Sequence, residues 1–352
     1  MEYKYHVQQA AENIARSIFP TPDNYAVRNG LPKDYPIHFA RLRVLMKSIF
    51  EDMVKEPEAY GLKLVASESE DKDLIRKGNN SIHRLFDTLY CLAVSGEVEN
   101  HCLVVCADKF KAAIKKPQSV GSSAISKYEL IFSRLVDFGF TINKDTRRFI
   151  VEYPDYPEMI GTLKQFYDCW IELSANRAGI KMWPTEYHHR AYVFDYKVTA
   201  NLEKITVKQW LADEAKYYGT SDADNDFLTA FYDYSLRYDT VTFDGNYAIK
   251  SKRIVRDLRR GGLVANGNAA LQLYLRNMEK YMPEINTMPN AVKNIFARDY
   301  CKDCNETCKY RFSWTYENKT HRGCGHQCFE INELQTALIP HYWRLLELEY
   351  GL

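Results

Sequence analysis

Five of the nine cysteines fall within 28 residues, as Cys301, Cys304, Cys308, Cys324 and Cys328. Thiolates are soft ligands, and four of them brought to one point hold a zinc ion tetrahedrally at about 2.3 Å. Cys301 and Cys304 have the two-residue spacing of a metal knuckle. Cys324 and Cys328 flank Gly325, whose backbone freedom lets the chain turn tightly enough for both sulfurs to face one ion. These four are the expected ligands. Cys308 is an alternate, and His321 or His326 would supply the nitrogen of a site with three thiolates and one imidazole. Lys302, Lys309, Arg311, Lys319 and Arg322 outnumber Asp303, Glu306 and Glu317, and a basic excess favours thiolate over thiol. Four protein ligands leave zinc no open position, so such an ion is structural rather than catalytic. An iron–sulfur cluster also takes four cysteines, but the strand-rich surroundings give no reason to prefer it. The competing reading is a set of buried or redox-labile thiols without metal.

Other groups with chemical capacity are less concentrated. Lys250, Lys252, Arg253, Arg256, Arg259 and Arg260 against Asp257 make 246–262 the most basic stretch, a candidate face for phosphates if it forms a hairpin. A charged, solvated strand edge explains the same residues. His188 and His189 lie near Glu186 and Asp195, yet neighbours on a strand point to opposite faces and do not readily share an ion or proton. Asp222, Asp224 and Asp226 imitate the start of a calcium loop, but Phe227 stands where its sharp turn needs glycine, and an acidic helix N-terminus accounts for them. No His-Glu-x-x-His, Gly-x-Ser-x-Gly or phosphate-cradling glycine fingerprint is present.

The elements that must position these groups follow from periodicity. Val7, Ala10, Ala11, Ile14 and Ile18 predict a helix over 3–18, and the stripe from Leu42 to Met53 predicts another over 36–55. A polar stretch, 67–80, precedes helices predicted at 81–94 and 103–115. Ser126 and Glu129 have capping-box spacing at the start of a helix running to Phe138. Alternation of Phe149, Val151 and Tyr153 predicts a hairpin over 140–153, and Pro157 opens a further helix. Residues 190–198 have strand composition, while 206–218 and 225–238 read as helices. From 246 to 276 short strands form an antiparallel meander, with Leu271, Leu273 and Leu275 on one face. A helix around 289–298 leads to the cysteines, Tyr310 to Tyr316 alternates as a strand, and a helix is expected at 332–348.

Helices, a two-stranded wing and a closing helix give residues 81–172 an order that resembles a winged-helix module. The resemblance implies a helix, 126–138, that reads DNA from a positive face. Residues 81–175 hold 11 Lys and Arg against 12 Asp and Glu, and the helix mixes Lys127 and Arg134 with Glu129 and Asp137. That balance favours packing against protein.

At 352 residues with a net charge of +1, the chain has room for several cores and no global attraction for nucleic acid. The expected regions are an N-terminal helical region at 1–75, a winged-helix-like domain at 76–175, and an α+β domain with the zinc site at 190–352. No apolar run reaches the length of a membrane span. Residues 1–6 lack the layout of a secretory signal, which predicts a reducing cytoplasm where Cys91, Cys102, Cys106 and Cys169 stay as thiols. The fold class read from these patterns is α+β: a helical N-terminal half with a winged-helix-like hairpin, then antiparallel sheet with helices and the cysteine cluster. The functional expectation is a non-catalytic cytoplasmic regulatory or binding protein with structural zinc, acting through a protein partner or nucleic acid. The other reading is an enzyme or small-molecule sensor with a pocket between the halves, lined by Trp183, His188, His189 and Tyr192.

Overall fold

The computed structural model describes residues 3–18, 22, 25–115, 124–176, 191–218, 221–238, 242–244, 248–250, 258–260, 269–301, 308–324 and 329–352. They form an α+β chain in two compact units, one built from residues up to Lys204 and the other from Ile205 onward. Among the described residues, no helix is long and apolar enough to cross a membrane.

The first unit opens with α1 (His6–Ser17) packed on α2 (Tyr35–Lys55). The next helix, α3 (Lys72–Asn80), lies in the stretch whose polarity argued against one. It has almost no apolar stripe, and Asp71 supplies its start by accepting from the Asp73 and Leu74 backbone N–H groups at 3.0 Å each. Then come α4 (Arg84–Ser95), β1 (Gly96–Glu99), β2 (Cys102–Cys106), α5 (Ala107–Lys115), α6 (Tyr128–Asp137), β3 (Thr141–Lys144), β4 (Arg148–Glu152) and α7 (Glu158–Asn176). The four strands make one antiparallel sheet in the order β1-β2-β4-β3. The expected wing is therefore half of a larger sheet, and the helix expected from 103 begins only at Ala107. Between β1 and β2, Asn100 and His101 take φ of 48° and 64°, the left-handed pair that closes a two-residue hairpin with the twist the strands need.

The core of this unit is aromatic. The Phe86 ring lies 5.0 Å from Tyr167, 5.2 Å from Trp170 and 4.9 Å from Tyr192, edge-on or tilted to each. Tyr35 stacks on Phe39, and Phe39 on Phe166, so α2 and α7 share one core. Residues 191–200 are buried without exception, and they turn rather than extend. Asp195 accepts from the Lys197 N–H at 2.9 Å and starts a 3-10 turn, Tyr196–Val198. A buried run has no solvent face to impose alternation, so its strand-like composition was satisfied by a capped turn instead.

The second unit holds α8 (Val207–Tyr218), α9 (Asp222–Ser235), β5 (Thr242–Asp244), β6 (Ala248–Lys250), β7 (Leu258–Arg260), β8 (Ala269–Leu273), α10 (Met278–Ile285), α11 (Asn290–Lys293), β9 (Arg311–Tyr316), β10 (Lys319–Cys324), β11 (Phe329–Ile331) and α12 (Ile339–Tyr350). Its strands pair antiparallel as β5-β6, β9-β10 and β11-β8-β7. Leu271, Leu273 and Leu275 are all buried, as their alternation predicts. Trp343 of α12 is sandwiched by Phe231 and Tyr238, each 5.0 Å away.

Candidate metal centre

The β9–β10 hairpin is the frame on which the cysteines hang. Its turn residues, Glu317 and Asn318, take φ of 49° and 62°, the same left-handed pair that closes β1–β2. Alternation puts Phe312, Trp314 and Tyr316 on one face, and His321 lies opposite Trp314 in the register, stacked on its ring at 5.8 Å. Trp314 is fully buried, with its indole N–H donating to the Phe296 carbonyl at 2.8 Å. The Phe329 ring fills the space beside it, 5.4 Å from Trp314, 5.0 Å from Phe296 and 4.7 Å from Tyr300.

The open end of this hairpin collects three of the cluster's cysteines. Cys324 ends β10 opposite Arg311. Arg311 N–H donates to the Cys308 carbonyl at 3.2 Å, which ties Cys308 to the first residue of β9. Tyr300 and Cys301 N–H groups both donate to the Arg322 carbonyl, at 2.8 and 3.1 Å, which ties Cys301 to the last turns of β10. Cys324 is buried, while Cys301 and Cys308 are half-buried. Cys304, Cys328 and His326 lie outside the described residues. Among the described residues, no three His, Cys, Asp or Glu side chains gather closely enough to hold an ion. His321 sits on the Trp314 face, opposite to Cys324 by strand alternation, and its Nδ1 lies 3.8 Å from the Asp299 carboxylate.

Gly323 is required by the same face. A Cβ there would fall 2.6 Å from Phe312 Cε2, inside any real contact, and the Phe312 ring is already packed near Trp314 and Phe329. Gly323→Ala is expected to cost about 1–3 kcal/mol by overpacking. Urea titration followed by tryptophan fluorescence would read this as a lower midpoint, and an unchanged midpoint would refute the crowding.

The remaining candidates are described only in part. Lys250 ends β6 in the two-stranded sheet, whereas Arg259 and Arg260 lie on β7 of the three-stranded one, opposite Ala270 and Ala269. Lys252, Arg253 and Arg256 are outside the described residues, as are Trp183, His188 and His189. Tyr192 is a core residue, stacked on His83 at 3.7 Å and edge-on to Phe86. Asp222 and Asp224 lie in the first turn of α9, where Ser221 caps the Asp224 N–H at 3.1 Å. Three thiols of the first unit, Cys91, Cys102 and Cys169, are poor nucleophiles at neutral pH. Burial pushes Cys91 up to about 12 and Cys169 up to about 11, and a hydrogen bond to Glu152 raises Cys102.

Helix α6 departs from expectation at its start and in its partners. It begins after Lys127, held at φ 64° with no side-chain cap, so the Ser126–Glu129 capping box does not form. Arg134 pairs with Asp52 of α2 and with Asp137 at 3.0 Å, and lies over the Tyr60 ring. What α6 exposes is Glu129, Leu130, Ser133, Val136 and Asp137, and the exposed cation beside them is Lys127 at its N-cap. Sequence reasoning also missed buried Arg43, whose guanidinium burial lowers to about 10 while the Asp195 carboxylate acts in the opposite direction. No family model, curated protein or solved structure matches the chain.

Proposed function

We propose that this is a regulatory or binding protein of the cytoplasm that acts through protein contacts, and that a structural zinc ion clamps its C-terminal unit. The observation that carries the contact reading is the exposed face of α6. The order α4, β1–β2, α5, α6, β3, β4 with β2-β4-β3 adjacent in the sheet supports a winged-helix module extended by one strand. In such a module α6 is the helix turned toward a partner. Two carboxylates, two exposed apolar side chains and a serine repel phosphates and suit a protein surface, and the one arginine is taken up by Asp52 and Asp137. Titrating labelled duplex DNA and single-stranded RNA with the full chain across salt concentrations tests this. The expected result is no saturable binding at micromolar protein and about 0.15 M salt. Binding with a steep salt slope, reduced by Arg259→Ala and Arg260→Ala, would replace protein contacts by nucleic acid.

For the zinc, support comes from the anchoring of Cys301, Cys308 and Cys324 to one end of β9–β10. Cys328 directly precedes Phe329, whose ring touches Tyr300 and Phe312, and Cys304 is three residues from Cys301, so covalent reach limits how far either can lie from that end. Cys301, Cys304, Cys324 and Cys328 are the favoured ligands, with Cys308 as the substitute, since His321 is engaged on the opposite face. Elemental analysis of protein purified from zinc-replete cells is expected to give close to one zinc per chain, and zinc-free folded protein would remove the site.

A further inference from the structure

The second unit contains a cleft of about 540 Å³, a size typical of small-molecule sites. One wall is the helical stretch carrying Asn294, Ile295 and Arg298. The other is the segment from Ile331 to Leu338, with Tyr342 of α12 behind it. Ile295, Ile331, Leu338 and Tyr342 are buried, whereas Asn294, Arg298, Asn332, Glu333 and Gln335 are exposed, giving an apolar floor under a polar rim.

Two features of this cleft call for a ligand. Tyr342 is 0% exposed and its hydroxyl has no hydrogen-bond partner among the described residues, a costly state for a buried donor. Arg298 is also held in place on the rim. Its Nε donates to the Tyr300 hydroxyl at 2.7 Å and its Nη2 to the Glu330 carbonyl at 3.1 Å, and Nη1 takes part in neither bond. A guanidinium fixed by two of its nitrogens presents the third to an anion at little entropic cost. Glu333 supplies the opposite charge on the same rim, and three carboxamides supply donors and acceptors beside it.

We propose that this cleft binds a free α-amino acid whose side chain is mainly apolar and carries a hydrogen-bonding atom near its far end, such as a thioether sulfur or a phenol oxygen. The ligand carboxylate goes to Arg298 and its ammonium to Glu333. Its apolar body lies on Ile295, Ile331 and Leu338, and its far atom meets the Tyr342 hydroxyl. L-Methionine and L-tyrosine have that form. A purely aliphatic side chain leaves the phenol unsatisfied, and a ligand lacking either charge leaves Arg298 or Glu333 without its counterpart.

Isothermal titration of the full chain with L-methionine and L-tyrosine, against their N-acetylated amides, tests the assignment. Saturable binding of the free amino acids is expected, with none by the blocked forms. Arg298→Gln should weaken binding about tenfold or more, as befits a charge-assisted bond. Tyr342→Phe should weaken it about tenfold while leaving the thermal midpoint of the ligand-free protein no lower, because it deletes an unsatisfied hydroxyl. If Arg298→Gln fails to fold through loss of its Tyr300 and Glu330 bonds, Tyr342→Phe decides alone. Absence of saturation by either amino acid, equal affinity for the blocked forms, or Tyr342→Phe binding as tightly as the wild type would overturn the proposal.

Discussion

Stripping the chain with a strong chelator is expected to unfold residues from about 290 onward and to leave the first unit intact. The β9–β10 pair is a two-stranded sheet, and an isolated hairpin is marginal in water. Its protein support among the described residues includes an aromatic cluster, Phe296, Tyr300, Phe312, Trp314 and Phe329, and α10, whose Glu279 accepts from the Thr315 N–H at 2.9 Å. Two sequence stretches depart from its open end, after Cys301 and after Cys324, so a four-thiolate ion would close both excursions at once. Structural zinc sites contribute on the order of 10 kcal/mol, comparable to the whole net stability of a domain at about 5–15 kcal/mol. The first unit has its own core around Phe86 and no share in the cluster. Segment-resolved hydrogen exchange separates the two outcomes. Amides of 311–324 should lose protection after chelation, and those of α4 and α7 should keep it. Cys324→Ser should reproduce the effect without chelator. Unchanged protection across 311–324 in zinc-free protein would show that the aromatic cluster suffices and that the cysteines hold no ion.

How far the sequence disclosed this architecture depended on whether a face was exposed. Phe312, Trp314 and Tyr316 alternate with residues that point toward solvent, so period two was visible and the strand could be read directly. The stripes of α2 and α7 were legible for the same reason. Residues 191–198 have no exposed side, so composition had to stand in for period, and the Asp195 cap decided the geometry. Helix α3 shows the converse failure, because a helix held by its cap and lying largely in solvent carries little apolar signal. Of the β1–β2 hairpin, β2 was hidden in the run from 103 read as helix, while β1 and the turn fell between two predicted helices; the clue was the Asn100–His101 pair, since asparagine tolerates the left-handed turn. At the candidate centre, spacing nominated the cysteines, but only the hydrogen bonds from Tyr300 and Cys301 to Arg322 bring Cys301 to the same hairpin end as Cys324. The cleft beneath Tyr342 had no sequence signature, since Arg298 and Glu333 are joined by tertiary packing alone.

Raising the pH through about 10 to 12 is expected to unfold both units cooperatively, because both bury tyrosines as neutral phenols. Burial raises Tyr281 and Tyr342 to about 12, and raises Tyr25, Tyr35, Tyr60, Tyr167 and Tyr238 as well. A hydrogen bond to the Glu347 carboxylate adds to the effect at Tyr238, as does one to Asp52 at Tyr60. An acid with its folded pKa above the unfolded value stabilises the fold fully below the unfolded pKa, near 10 for tyrosine. That contribution falls as pH rises toward the folded value, because the unfolded chain ionises first. A gap of two pH units corresponds to at most about 2.7 kcal/mol for a fully buried phenol, and less where solvent screens it, so Tyr281 and Tyr342 both act against the second unit at high pH. Tyr25, Tyr35, Tyr60 and Tyr167 act in the same direction on the first unit. Tyrosinate absorbance and far-ultraviolet circular dichroism followed against pH should therefore change together in a steep transition above 10. Complete tyrosine ionisation centred near 10 with the dichroism unchanged would mean that these phenols reach water in the folded chain, and that the aromatic cores are looser than their packing distances indicate.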